Sequence, residues 1–352
     1  MMTSRERIFT AMDHRTPDRC PADFWGTREV QNRLKEYFGI TTEDELLDAL
    51  QSDMQAVHAK STRKTITFDD GSYTDNKGVR VKAVSNEFNT YQERVEAPLA
   101  GAECVADLEA YDLWPNADDF QWETFAAEIK PFWEKRCTRF FTGGIFETAI
   151  ALRGYEQFMM DMALQPEIPH YIMKRITDYL IGMVDNAEKC GAGKYIDFIY
   201  TYDDIATQNS LMVSPQMLEE FVYPCHRRYN AHIKQNYHKP ILFHSCGAIR
   251  PEIAKLRDLP IDVLNPLQPL AGDMDFVAIK AEFGDSLTFH GGICIQETLP
   301  HGTPDDVRRA VRYAIETLGK NGGYILAPAH SMQNDTPTEN ILALFEPELR
   351  CC

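Results

Sequence analysis

The sequence is short of positive charge and contains no long apolar run. Its 352 residues include 36 lysines and arginines against 53 aspartates and glutamates, which gives a net charge of −17. Nucleic acids and anionic lipid surfaces repel such a chain, so neither is an expected partner. No apolar run approaches the roughly 18 residues of a membrane span. The N-terminal residues MMTSRERIFTAMDH also lack the apolar stretch of a signal peptide, which predicts a cytoplasmic protein.

The cysteines lack the spacing of a disulfide framework. There are nine of them, an odd number, widely scattered and without a CxxC pair. This pattern is typical of a reduced, cytoplasmic chain. Hydrophobic residues make up 44% of the sequence and charged residues 25%, which is enough for a large core and disfavours disorder. The length is typical of a barrel of alternating strands and helices with insertions.

Short apolar segments typical of buried strands alternate with segments of helical periodicity. The eight strand-like segments are residues 20–25, 54–58, 138–143, 196–202, 240–245, 262–265, 287–291 and 323–327. Ser214, Thr303 and Thr336 each precede a proline and predict helix starts, and Glu339 would complete a capping box with Thr336. Eight strands alternating with helices predict a parallel sheet closed into a (β/α)8 TIM barrel, as one domain over residues 1–352.

Residues 60–98 interrupt this alternation. They contain two short runs of alternating polarity, KTITF and VRVKAV, with Asp70-Gly71 and Lys77-Gly78 as turn signals. Such runs predict antiparallel hairpins. We therefore expect a β-hairpin insertion after the second strand, folded over one mouth of the barrel.

Metal-binding residue types lie at two predicted strand ends, where such barrels place their sites. His244 and Cys246 end the fifth strand, and side chains two residues apart share one side of a strand. His330 follows the eighth strand. Zinc takes such ligands, and a catalytic zinc keeps a position open for water, substrate or a carboxylate such as Glu147. The alternative is that His244 and Cys246 are hydrogen-bonded core residues and that His330 contacts substrate.

The other strand ends supply candidates for catalysis and substrate binding. Glu147, Asp203 and Asp204 are catalytic candidates, because a carboxylate can orient a substrate or transfer its proton. Glu147 has an alternative partner in Arg153, and the two aspartates have an alternative role as caps of the following helix. The substrate-binding candidates are Arg28, His58, Tyr202, Gln268 and His290. The histidines among these are equally compatible with a scaffold role, and residues 225–228 are interpreted as mid-helix surface or packing residues.

Several segments resemble the uroporphyrinogen decarboxylase superfamily. They are SRERIFTAMDHRTPDRCPADFWG, FHSCGAIRPEIAKL, NPLQP, HGGICIQETLPHGTPDDVRRAVR and GGYILAPAHSMQNDTPTENI, and together they span nearly the whole chain. The resemblance implies a (β/α)8 barrel with its cleft at the strand C-termini. True decarboxylases of the superfamily need no cofactor and hold a tetrapyrrole's carboxylates with a motif of the form RQAGRY. Here residues 24–29 read FWGTRE, with Arg28 alone nearby, which argues against tetrapyrrole decarboxylation.

The second branch of the superfamily comprises zinc methyltransferases that work with a methylated corrinoid. They are similar to this chain in the HxC pair of the fifth strand and in a third ligand, usually cysteine, after the LAP of the last strand. The resemblance places His244 and Cys246 on the first two zinc ligands and His330 on the third. It implies Zn²⁺, a corrinoid (cobalamin) on a partner protein, and a small-molecule methyl donor or acceptor. A homodimer is compatible with these features.

Three functions follow from these features. The favoured one is demethylation of an O-methyl ether with transfer of the methyl group to the corrinoid cobalt. A zinc ion with one thiolate ligand keeps a formal +1 charge and is the stronger Lewis acid for oxygen. The second is a metal-free decarboxylase in which His330 and Arg28 bind carboxylates and Asp203 or Asp204 stabilises a cationic intermediate. The third is tetrapyrrole or corrinoid binding without catalysis.

Overall fold

The computed structural model describes residues 1–351 as an α/β fold. Its strands are β1 (Met54–Val57), β2 (Tyr73–Thr74), β3 (Arg80–Ser85), β4 (Thr90–Glu96), β5 (Cys137–Gly144), β6 (Phe198–Tyr202), β7 (Ile241–His244), β8 (Val263–Leu267), β9 (Thr288–Ile293) and β10 (Tyr324–Pro328). Its helices are α1 (Ser4–Met12), α2 (Arg28–Phe38), α3 (Glu43–Ala49), α4 (Val105–Ala110), α5 (Trp122–Lys135), α6 (Phe146–Arg153), α7 (Tyr155–Leu164), α8 (Glu167–Lys189), α9 (Pro215–Met217), α10 (Tyr223–Asn236), α11 (Ile253–Arg257), α12 (Phe276–Phe283), α13 (Thr298–His301), α14 (Pro304–Leu318) and α15 (Thr338–Leu344).

Seven of the strands form one parallel, curled sheet in the order β1-β5-β6-β7-β8-β9-β10. Helices connect its successive strands, as parallel pairing requires. The predicted α/β class and parallel sheet are confirmed, and the arrangement is consistent with a (β/α)8 barrel. Within residues 1–351, no helix combines the length and the apolar composition needed to cross a bilayer.

The segment predicted as the first strand, residues 20–25, lies between the two edge strands without forming a regular strand. Ala22 makes an isolated parallel bridge with Leu326 of β10, and its carbonyl accepts the backbone N–H of Asp53, just before β1, at 2.7 Å. Pro21 has no N–H to donate, and the N–H of Phe24 bonds to the hydroxyl of Ser52 at 3.2 Å instead of to a carbonyl. The prediction of a regular strand was therefore wrong, although the segment does occupy the predicted place.

Residues 60–98 contain a second, antiparallel sheet of three strands in the order β2-β3-β4. The predicted strand KTITF is absent, since only Thr67 of that run makes a bridge, to Tyr73. Strand β4, which the sequence did not predict, pairs with β3 instead. The amide of Asn89 donates to Gln333 at 2.5 Å, so this small sheet contacts the loop that follows β10.

The inside of the curled sheet is apolar at the strand starts and polar at the strand ends. Its apolar cluster joins Met54, Cys137, Phe198, Leu242, Val263 and Ile325 to Ile8 of α1. Helix α1 therefore covers the N-terminal end of the sheet interior. Further along β5, β7 and β9, the inward positions carry Arg139, His244 and His290, which are all buried. The buried polar side chains thus lie toward the C-terminal end of the sheet, where barrels of this kind place their sites.

Two of the three predicted helix starts are present. The hydroxyl of Ser214 accepts the N–H of Met217, and Thr303 forms a capping box at the start of α14. The predicted capping box of Thr336 and Glu339 was wrong. Pro337 is the N-cap of α15, so Glu339 lies one position too early to close the box.

Candidate metal centre and adjoining cavity

Three side chains from two strand ends converge on one point. His244 ends β7 and Cys246 follows it, with His244 Nε2 and Cys246 Sγ 3.3 Å apart. His330 lies two residues beyond β10, and one ligand atom from each of the three residues lies within 4.8 Å of the others. Two strands separate β7 from β10 in the sheet order, so the curl of the sheet brings the ligands together.

The spacing of the donor atoms fits a tetrahedral zinc site. Zinc–ligand bonds of about 2.0–2.3 Å place neighbouring ligands roughly 3.3–3.8 Å apart. The 3.3 Å between His244 Nε2 and Cys246 Sγ lies in this range, as does the 3.7 Å between His244 Nε2 and Asp204 Oδ1. The sequence pointed to Glu147 as a fourth ligand, but the carboxylate that lies beside His244 is that of Asp204. Cys246, His330 and Asp204 are half-buried, so the cluster is accessible on one side.

A buried chain of hydrogen bonds determines which nitrogen of His244 faces the cluster. His244 Nδ1 lies 2.5 Å from Asn265 Oδ1, and because an amide oxygen only accepts, the proton is on Nδ1. The amide nitrogen of Asn265 donates to His290 Nδ1 at 2.6 Å, and His290 Nε2 donates to Asp23 at 2.9 Å. The Nε2 lone pair of His244 is therefore directed at Cys246, as a metal ligand requires.

The protonation states of the donors also fit a cation. Burial, only partly opposed by Asp204, lowers the pKa of His244 to about 4, and burial lowers the pKa of His330. Both imidazoles are thus neutral near pH 7, which is the form that binds metals. Burial and the negative charges of Asp204 and Glu147 raise the pKa of the Cys246 thiol well above its usual range. A divalent cation would reverse this shift by stabilising the thiolate among these carboxylates.

Asp203 is bound into the scaffold next to the cluster. Its carboxylate is fully buried and accepts the backbone N–H groups of Ile145, Phe146 and Glu147 at 2.8–2.9 Å. It also lies 2.6 Å from Nε2 of His226, a buried residue of α10. Asp203 therefore caps α6, which precedes it in the chain. The alternative role predicted from the sequence was to cap the helix that follows Asp203. The predicted catalytic role of Asp203 gains no support from this geometry.

Glu147 and Tyr202 line a cavity of about 240 Å³ beneath the antiparallel sheet. Glu147 Oε1 accepts the backbone N–H of Asp204 at 3.0 Å. Burial, together with the charges of Asp203 and Asp204, raises the pKa of Glu147 to about 7. Lys77, from the turn between β2 and β3, reaches the same cavity and lies 3.5 Å from the hydroxyl of Tyr202. Glu147 can therefore hold or release a proton near neutral pH, which suits a general acid.

A second cavity, of about 340 Å³, is lined by Trp25 and by Ser331, the residue after His330. Its walls are the aromatic rings of Phe24, Trp25, Phe141 and Tyr200, with the ionisable side chains of Glu43, His58 and Arg139 among them. The indole of Trp25 is stacked on the imidazole of His244, with ring centres 5.8 Å apart and planes 7° from parallel. The cavity thus has room for a single-ring molecule, and Trp25 and Ser331 connect it to the metal-binding cluster.

Comparison with known proteins places the chain in a family. The model of the family Uroporphyrinogen decarboxylase (URO-D) matches residues 138–347. The chain belongs to the URO-D family. No curated protein sequence matches this URO-D protein.

A solved methyltransferase structure shares the fold of this URO-D protein. A methyltransferase from Methanosarcina mazei superposes with a TM-score of 0.67 at 18% identity, over 98% of this chain and 97% of that chain. A putative vitamin-B12 independent methionine synthase from Listeria monocytogenes superposes with a TM-score of 0.44 at 11% identity, over 93% of each chain. The first similarity shows a common fold along nearly the full length of both proteins.

The structure separates the remaining predicted site residues. Arg28 begins α2 with an exposed side chain and does not line the 340 Å³ cavity, whereas His58 does. Gln268 accepts the N–H of Gly247 at 2.7 Å and donates to the carbonyl of Ala329, so it ties together the two loops that carry the cluster. His290 belongs to the buried chain behind His244.

The sequence did not identify two residues that support the site, Asp23 and Arg139; Asn265, at the end of the sixth predicted strand, is a third supporting residue. All three are buried and polar and point into the sheet interior. A signal was present, since the arginine in the apolar run TRFF interrupts a strand that otherwise reads as core. The alternative partner of Glu147, Arg153, instead pairs with Asp161 at 2.6 Å.

We expect Asn265→Leu to weaken the affinity for zinc about 10–100-fold, because His244 Nδ1 loses the acceptor that sets its tautomer. Competition with a chromophoric chelator measures this. Asn340→Leu is the matched control. Asn340 is equally buried and makes two hydrogen bonds, 2.8 and 2.9 Å long, in a part of the protein outside the cluster. Asn340→Leu should lower thermal stability and leave the zinc affinity unchanged. Equal zinc affinities for the Asn265 variant and the wild type would contradict the role of the hydrogen-bond chain.

Proposed function

We propose that this URO-D family member is a cytoplasmic, zinc-dependent methyltransferase that demethylates an aromatic methyl ether. The methyl group would pass to the reduced cobalt of a corrinoid carried by a partner protein. The observation that carries the proposal is the cluster of His244, Cys246 and His330 beside a cavity with aromatic walls. The fold shared with the methyltransferase from Methanosarcina mazei supports it.

Zinc bound by His244, Cys246 and His330 would supply a Lewis acid for the ether oxygen. In the reaction, the bond between oxygen and the methyl carbon breaks. The methyl acceptor would be the reduced corrinoid, which would supply the electron pair for the new bond and pass from Co(I) to Co(III). The phenol oxygen keeps the electrons of the broken bond and takes a proton.

The protein's own residues would orient the substrate and supply that proton. The indole of Trp25 lines the cavity and is backed by the stacked imidazole of His244, so an aromatic ring can pack against it. We assign proton donation to Glu147, which has a pKa of about 7, lines the 240 Å³ cavity and is held by the backbone N–H of Asp204. Asp204 also accepts the N–H of Cys246 at 2.7 Å and so fixes the loop that carries the thiol.

The antiparallel sheet is the surface that we assign to the corrinoid protein. Large apolar side chains on it are exposed by about two fifths or more of their area: Val84 40%, Phe88 39%, Tyr91 43% and Val95 47%. Exposed apolar groups of this kind mark a contact surface. Hydrogen bonds from Asn89 and Tyr91 to Gln333 join the sheet to the loop that carries His330, so a partner bound there would lie at the site.

A decarboxylase acting on a small carboxylated substrate is the second candidate, because Arg139 faces the 340 Å³ cavity. Uroporphyrinogen itself is disfavoured. The cavity is suited to one ring and not to a tetrapyrrole, and the exposed Arg28 lies outside it. Release of carbon dioxide by zinc-free protein would favour this second function.

The proposal is tested by incubating the zinc-loaded protein with cob(I)alamin and a panel of methoxylated aromatic compounds. We expect methylcobalamin and the free phenol in equal amounts, followed by the absorbance change of the corrinoid and by chromatography. Uroporphyrinogen serves as a negative control and should give no coproporphyrinogen. Methylation of small thiols by methylcobalamin, with no activity on any ether, would contradict the proposed direction and substrate.

A further inference from the structure

Arg139 is a buried cation that the protein leaves partly unpaired. It lies at an inward position of β5 and is 7% exposed. One terminal nitrogen of its guanidinium donates to Asp23, and the group lies 4.9 Å from the ring centre of Trp25. Its remaining donors have no hydrogen-bond partner among residues 1–351, and none of them is a fully enclosed, unsatisfied atom. These donors therefore face the 340 Å³ cavity, which Arg139 lines.

Asp23 does not take these donors in this structure, and its Oδ1 atom is buried without a hydrogen-bond partner. Its Oδ2 atom already accepts hydrogen bonds from the indole of Trp25 at 2.6 Å and from His290 at 2.9 Å, in addition to the bond from Arg139. An arginine held in this way at one nitrogen presents the rest of its planar fork in a fixed orientation. This is the geometry with which guanidinium binds a carboxylate through two parallel hydrogen bonds.

The cavity also determines where a ligand's charge would lie relative to the metal-binding cluster. Arg139 and His244 both lie against the ring of Trp25, at 4.9 and 5.8 Å from its centre. Ser331, the residue after His330, lines the cavity, so an aromatic ring with a substituent at Arg139 would lie between Arg139 and the loop that carries His330. His58, on the same cavity, has no hydrogen-bond partner among the described residues and offers a second polar contact.

We propose that Arg139 binds a carboxylate of the substrate, so that the methyl donor is a methoxybenzoate-type acid rather than a neutral methoxybenzene. This inference rests on the proposed demethylation for the identity of the methyl group, while the carboxylate site itself stands on the geometry of Arg139. Charge-assisted hydrogen bonds of this kind contribute enough to give a preference of roughly 10–100-fold for the acid over a neutral analogue.

The test is a binding measurement that needs no corrinoid and no turnover. The probes are 4-hydroxybenzoate, its uncharged methyl ester and phenol, each titrated into the zinc-loaded protein. Binding is followed by the fluorescence of tryptophan, since Trp25 forms a wall of the cavity, and by calorimetry. We expect the acid to bind at least about tenfold more tightly than the ester or phenol. This comparison uses the wild-type protein and is independent of how any variant folds.

Variants then assign the preference to Arg139. Arg139→Met should lose it, and Arg139→Lys should retain part of it, because lysine keeps the charge but not the planar fork. Arg28→Met, which removes an exposed arginine from α2, is the control and should bind the acid like the wild type. Equal affinities of wild type for acid and ester, or an undiminished preference in Arg139→Met, would overturn the inference.

The outcome for the proposed function is read separately. Tight binding of 4-hydroxybenzoate that depends on Arg139, without transfer of methyl groups from methoxybenzoates, would leave the carboxylate site in place and remove the demethylation. Demethylation of neutral methoxybenzenes as fast as of methoxybenzoates would support the demethylation and remove the proposed carboxylate site.

Discussion

Cys246→Ala is expected to remove most of the zinc from the purified protein and to abolish methyl transfer. Cys246 is the only thiol in the cluster, and its Sγ lies 3.3 Å from His244 Nε2. Its thiolate is also the one ligand of the three that lowers the charge of the site. Loss of residues that merely orient metal ligands costs about 10–100-fold in affinity, so loss of a ligand should cost more. Elemental analysis and chelator competition measure the effect.

The matched control for this experiment is Cys225→Ala. Cys225 is half-buried like Cys246 but lies on α10, outside the cluster. The control should retain about one zinc per chain and full activity. Replacing zinc with Co²⁺ adds a second readout, because a cobalt–thiolate charge-transfer band should be present in the wild type and in Cys225→Ala and absent in Cys246→Ala. Full zinc retention in Cys246→Ala would contradict the proposed ligand set.

The convergence of His244, Cys246 and His330 could be predicted from the sequence because each obeys a local rule. Positions two apart on a strand share a face, and strand C-termini meet at one end of a parallel sheet. These rules need only approximate strand ends. The predicted strand end at residue 245 and the observed end at His244 therefore place the pair in the same location.

The partners of the buried polar groups could not be predicted in this way. Asp203 directly precedes Asp204 in the chain, yet their partners differ. Asp203 caps α6, which follows the neighbouring strand β5, and Asp204 accepts the backbone N–H of Cys246. Which carboxylate serves which element depends on strand order and register, and neither is visible from helical or strand periodicity. The same reason applies to His226, a mid-helix residue whose partner, Asp203, lies at the end of β6.

The sequence predicted Arg28 as the basic residue of the substrate site, whereas the arginine that lines the cavity is Arg139. Arg28 lies where the resemblance places a carboxylate-binding motif, but it is the first residue of α2 and is exposed. Arg139 is inside a strand, where the expected residue is apolar. A charge at such a position is tolerated because Asp23 and the ring of Trp25 lie beside it, and both come from residues 20–25, some 115 positions earlier.

His330→Cys is expected to lower ether demethylation at least about tenfold in kcat/KM, which corresponds to ~1.4 kcal/mol, and to raise the methylation of thiols. With His244, Cys246 and His330 as ligands, a bound zinc ion has a formal charge of +1. A second thiolate makes it neutral, which weakens it as a Lewis acid for an ether oxygen. Asp204 contributes the same negative charge in the wild type and in the variant, so the two zinc sites still differ by one charge.

The experiment compares both reactions in one preparation, with methoxybenzoates and cob(I)alamin for demethylation and with small thiols and methylcobalamin for methylation. His301→Cys is the control, since it makes the same replacement at an exposed histidine of α13, outside the cluster, and it should behave like the wild type. Zinc content must stay near one per chain in both variants, so that a change in rate reports the charge of the site and not its occupancy. A His330→Cys protein that keeps full ether activity would show that the charge of the zinc site does not determine whether the enzyme acts on oxygen or on sulfur. The role of His330 would then be to fill the space beside His244, since the two ring centres lie 5.7 Å apart.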